Sequence, residues 1–62
     1  MMREFRRGDV VREAGTNVKS VVVGLRREVS QVKIKILEGD DEGEERWLDS
    51  YDCQFYYTDE PE

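Results

Sequence analysis

The clearest pattern along the chain is an alternation in which Val32, Ile34 and Ile36 fall on one side while Lys33 and Lys35 fall on the other. Successive side chains of a strand point to opposite faces, so residues 29–37 are predicted as a strand with one core face and one wet face. A sheet covered on one face only is expected to be antiparallel. Upstream, residues 18–25 place Val21, Val22 and Val23 in a row. That segment is apolar on both faces, which predicts a strand in the middle of the sheet. Residues 9–13 predict a shorter strand introduced by Gly8, and Phe5 is expected in the core. Residues 14–17 form a turn, because Gly15 and Asn17 tolerate turn dihedrals, and residues 26–28 turn the chain back. Residues 38–44 have two glycines and no side chain to bury, so they predict a solvated connecting loop. Strand resumes over 46–49. Ser50, Tyr51, Asp52 and Cys53 then predict a turn or a single helical turn with Ser50 as its cap, and residues 54–57 close the sheet. Four to five short strands with tight connections cannot make a two-layer sandwich at this length. The predicted fold is all-β: a small, strongly bent barrel of short antiparallel strands, since closure removes exposed sheet edges.

Sixty-two residues make one domain, expected over 1–57, with 58–62 a disordered acidic tail. A chain this short usually needs a staple. Its single cysteine, Cys53, allows no intrachain disulfide, and the absence of histidine excludes a Cys/His zinc site. Cys53 is therefore expected as a buried thiol. No apolar run reaches the roughly 18–20 residues that span a bilayer, and the N-terminal residues do not lead into a signal-peptide core. The expectation is a cytoplasmic protein with no membrane partner. Charge is divided unevenly along the chain. Residues 1–37 carry nine basic and four acidic side chains, while residues 38–62 carry one basic residue, Arg46, and eleven acidic ones. The net charge of −5 thus conceals two opposite fields, and a partner responds to either.

Phe5, Gly8, Asp9 and Val11 spell a hydrophobe-x-x-Gly-Asp-x-Val run, followed after a turn by Val22, Val23 and Gly24 and then by the alternating Val32, Ile34 and Ile36. This succession resembles the opening of small bacterial SH3-like barrels, a group that includes the uncharacterised YodC-like proteins and the KOW-type domains of translation and transcription factors. In them the motif leads into the first strand, and a Val-x-Gly sits near the end of the second. The resemblance covers residues 5–36 and implies an SH3-like barrel. Its motif is structural, with Gly8 serving the lead-in turn and Val10 or Val11 the core, so it carries over no functional residue.

Catalysis is excluded on composition. The commonest general base is absent, Cys53 has no histidine to activate it, and no Gly-rich phosphate loop is present. No catalytic residue, cofactor or metal is assigned. From Glu38 to Asp49 the acidic positions shadow a calcium loop, with Gly43 at the sixth place. The match fails at the first, ninth and twelfth positions, which are Glu38, Arg46 and Asp49. A solvated hairpin loop is the better reading.

Two constellations remain. Five of the six aromatics (Trp47, Tyr51, Phe55, Tyr56 and Tyr57) crowd the acidic half. Rings beside carboxylates suit a cationic partner, which makes Trp47, Tyr51, Tyr56, Glu45 and Asp49 the candidate surface for a protein partner with a basic segment. Arg26, Arg27, Lys33 and Lys35 form the alternative, a phosphate-binding stripe for RNA or single-stranded DNA. That reading also needs aromatics on the same face, and the basic half offers only Phe5. A continuous positive face clear of the acidic loop would favour nucleic acid, whereas interdigitated signs favour a protein partner. The two-signed charge further predicts a monomer or weak self-association.

Overall fold

The structure, a computed structural model, describes residues 4–56. Tyr57 and the acidic tail over 58–62 lie outside the described residues. The fold is all-β, with five strands: β1 (Val10–Glu13), β2 (Ser20–Arg26), β3 (Gln31–Ile36), β4 (Glu45–Asp49) and β5 (Cys53–Phe55). All pair antiparallel in one sheet of order β4-β3-β2-β1-β5. The doubly apolar β2 takes the central place predicted for it. Two 3-10 turns, Arg27–Val29 and Ser50–Asp52, complete the secondary structure of the described residues. The second lies within the segment predicted to make a helical turn.

The alternation of β3 sets the core. Val32, Ile34 and Ile36 are buried, and Val32 and Ile34 pack with Phe5, Val11, Val22, Leu48 and Cys53. Leu25 and Phe55 cover the cluster, and the Phe5 and Phe55 rings meet at 4.8 Å. The run of valines in β2 cannot keep a simple alternation. Val22 pairs with Ile34, the register then slips, and Gly24 pairs with Lys33. This bulge absorbs Val23 and returns Leu25 to the core side opposite Val32.

The connections are fixed by backbone hydrogen bonds. Gly8 adopts φ +95°, and its N–H donates to the Val22 carbonyl at 2.9 Å, which ties the lead-in segment to β2. The acidic connection is more ordered than an open loop. The Ile36 N–H donates to Glu44, the Gly43 N–H to Ile36, and the Glu42 and Glu44 N–H groups close tight turns onto Gly39 and Asp41. The turn between β4 and β5 is held on both sides, with the Ser50 N–H donating to Ser30 at 2.8 Å and Ala14 donating to Asp52 at 2.7 Å. Ser50 does not cap it. The N-cap position is Asp49, no side chain makes a capping bond, and Ser50 is itself the first residue of the turn and is buried.

Candidate binding surface

Strand pairing decides which side chains share the outer face of the sheet. In β4, Leu48 faces Val32 in the core, so Glu45, Trp47 and Asp49 alternate outward, opposite Lys35, Lys33 and Gln31 respectively. Tyr51 follows on the 3-10 turn and is 77% exposed. Four of the five residues assigned to a protein-binding patch therefore lie on β4 and the turn that follows it. Tyr56 does not join them. Its N–H donates to Val10 at the opposite edge of the sheet, and Lys19 Nζ lies 5.5 Å from its ring.

The structure also brings the rival constellations together. Trp47 belongs to the acidic half of the sequence, yet pairing with β3 places it among the basic residues. The Arg26 guanidinium lies 4.2 Å from the indole centroid and Lys33 Nζ 5.8 Å from it. Gly24 creates the room for this packing, since a side chain there would meet Lys33 Cβ at 3.3 Å and Trp47 Cη2 at 3.7 Å. Lys33 in turn pairs with Glu45 at 3.2 Å. Trp47 is thus flanked by two cations, Arg26 and Lys33, the second of them paired with Glu45. Lys35 is exposed beside Glu45, and Arg27 is exposed on the first 3-10 turn. The four basic candidates do not form a stripe clear of carboxylates.

Below the acidic connection, the inner side of the sheet ends in a cavity of about 120 Å³ lined by Val18, Ser20, Ile34, Ile36, Glu13 and Arg46, among others. Arg46 is half-exposed and contacts three carboxylates: Glu44 at 3.1 Å, Asp41 at 3.5 Å and Glu13 at 3.6 Å. Its guanidinium is held above its ordinary range, first by the hydrogen bond to Glu44 and the charge of that group, with Glu13 and Asp41 adding to the effect. A raised folded-state value means that the stabilisation is present at all lower pH and fades only in strong alkali. Arg46 therefore stays charged and occupied throughout the working range. Composition carried a signal for this role, since Arg46 is the one base in the acidic half. No group of three or more potential ligands is arranged for a metal ion among the described residues.

A second cleft, of about 70 Å³, opens beside the first 3-10 turn. Phe5, Leu25 and Val32 supply apolar walls; Glu4, Arg26, Arg27, Gln31, Ser30 and Ser50 complete it. Ser50 is 4% exposed, and its Oγ has no hydrogen-bond partner. Sequence reasoning missed this residue, because a serine before a short turn reads as a cap. Its burial depends on long-range closure onto Ser30.

Among the described residues no helix is long and apolar enough to cross a membrane. No family model, curated protein or solved structure matches the chain.

Proposed function

We propose that the chain is a non-catalytic, cytoplasmic interaction module of the SH3-like kind that binds an extended basic segment of a protein partner along β4. The observation that carries this reading is the position of β4. Among the described residues it is an edge strand paired only with β3, and its outward residues are Glu45, Trp47 and Asp49. An unpaired strand edge is a template for an added strand, whose backbone supplies affinity while alternate side chains supply specificity. Glu45 and Asp49 are four residues apart, roughly 13 Å along a strand. An added strand with Lys or Arg at positions i and i+4 matches both carboxylates, and an apolar residue at i+2 meets Trp47. Asp49 has no ion-pair partner among the described residues. The Glu45–Lys33 pair is substantially exposed and so exchanges with an incoming cation at little cost. Arg46, the strand's own cation, is already engaged by its three carboxylates.

Nucleic-acid binding is the second reading, favoured by one observation: Trp47 stands between Arg26 and Lys33 and so supplies the aromatic that the basic half lacked. The interruption of that face by Glu45 counts against it. A backbone-amide NMR titration at low salt separates the two. A peptide with lysines at i and i+4 is expected to shift residues 45–51, and the double substitution Glu45→Lys, Asp49→Lys is expected to abolish the response. A mixed-sequence single-stranded oligonucleotide is expected to leave the spectrum unchanged. Salt-sensitive shifts at Arg26, Arg27, Lys33 and Lys35 with the oligonucleotide, and none with the peptide, would overturn the proposal.

A further inference from the structure

The cleft beside the first 3-10 turn includes none of Glu45, Trp47 and Asp49, so it is a second site beside the β4 edge, joined to it through Arg26, which also packs on Trp47. We infer that it captures the C-terminal residue of a partner chain: a small aliphatic side chain seated on Phe5, Leu25 and Val32, with its free carboxylate held by Arg26 and Arg27.

Three observations carry this. First, Ser50 lines the cleft with a buried hydroxyl that has no partner. Buried polar groups are almost always satisfied, and each exception calls for a missing partner. A ligand carboxylate accepting from Ser50 Oγ supplies one. Second, Arg26 and Arg27 border the cleft and make no ion pair with any described residue, so two guanidiniums face the single carboxylate of Glu4 and the site favours an anion. Arg26 packs over the Trp47 ring at 4.2 Å, and a guanidinium suits a planar, bidentate acceptor such as a carboxylate. Third, the size is selective. At about 70 Å³ the cleft is roughly half the 150 Å³ that houses a benzene ring, so it suits a valine-sized group better than a nucleobase.

The backbone around the site is held in place. Ser30 sits at φ 56° and ψ 49°, in the left-handed region that a non-glycine residue rarely adopts. Its carbonyl accepts from the Ser50 N–H at 2.8 Å, which locks the cleft wall to the turn.

The test uses the full chain and three synthetic hexapeptides: one ending in valine as the free acid, the same peptide as its C-terminal amide, and one ending in glycine as the free acid. The valine acid is expected to shift the amides of Leu25, Arg27, Gln31 and Ser50, with the other two at least tenfold weaker. The double variant Arg26→Ala, Arg27→Ala is expected to lose the response. Ser50→Ala adds a readout that does not depend on the ligand. Removing an unpaired buried hydroxyl raises the melting temperature, while a hydroxyl serving the ligand makes the same variant bind the valine acid several-fold more weakly. Equal binding of acid and amide, no shift with any peptide, or a cleft that answers only to the oligonucleotide would each overturn the inference. Loss of the β4 response in the Glu45→Lys, Asp49→Lys variant with the cleft response intact shows the two sites to be separate.

Discussion

Ile34 is 1% exposed and lies on β3 between Val22 of β2 and the inner side of β4. Truncating such a side chain loses both its transfer free energy and the contacts around the cavity left behind, about 2–5 kcal/mol for Ile→Ala. A domain stabilised by roughly 0.05–0.15 kcal/mol per residue holds only about 3–9 kcal/mol in total at this length. Ile34→Ala is therefore expected to use up half or more of the stability, and urea titration followed by amide dispersion will show its midpoint falling sharply. A midpoint within experimental error of the parent would mean that the core is not organised around β3. At the same scale Arg46 and Ser50 behave oppositely. Arg46 is a charge that gathers three carboxylates from two parts of the chain, β1 and the acidic connection. Ser50 is a polar atom that the fold buries without satisfying.

At the scale of elements, the bulge in β2 links the core to the binding surface. It keeps Val22 and Leu25 on the core side of β2 and places Gly24 outward, where the Trp47 ring and Lys33 close over it. Gly24→Val would insert a branched side chain where a bare Cβ already stands 3.3 Å from Lys33 Cβ. Overpacking of this kind costs about 1–3 kcal/mol. It is also expected to lift Trp47 away from Arg26, read as a shift in tryptophan emission that the parent does not show; unchanged emission would place the ring elsewhere. The elements that were legible in the sequence are those whose signal is local. The alternation of β3 and the turn at Gly15 can be read from consecutive residues, as can the four to five short strands and the turn or helical turn near Ser50. The bulge was not legible, because Val21, Val22 and Val23 are equally apolar and only pairing with Ile34 and Lys33 decides which one is extruded. Trp47 was legible as a member of the acidic and aromatic cluster, but its contact with Arg26 joins residues twenty-one apart in the chain and depends on the register of two strand pairs. Tyr56 was grouped with Trp47 by proximity in sequence, whereas β5 joins the sheet at the far side of β1.

At the scale of the whole molecule, β3 separates the Arg26–Arg27 pair from the acidic connection. Arg26 and Arg27 stand just before its first residue, and the acidic connection begins just after its last. Six residues of strand span roughly 20 Å. That exceeds the screening length of about 8 Å at physiological ionic strength and falls within the roughly 30 Å reached at 0.01 M. The two ends are therefore electrically independent in ordinary buffer, and the molecule behaves as one extended dipole when salt is removed. A contact between the basic end of one copy and the acidic end of the next would be heterologous, so it is expected to propagate into open chains instead of closing as a symmetric dimer. Sedimentation velocity at about 10 mM ionic strength is expected to show a coefficient that climbs with concentration without reaching a plateau. At about 1 M salt, where screening acts within ~3 Å, the coefficient is expected to be constant and monomeric. Arg26→Glu with Arg27→Glu places like charges at both ends and is expected to give the monomeric value at either salt. A coefficient independent of concentration at low salt would show that charge polarity alone does not bring copies together. A plateau at twice the monomer mass would instead indicate a closed, two-fold contact that this polarity does not explain.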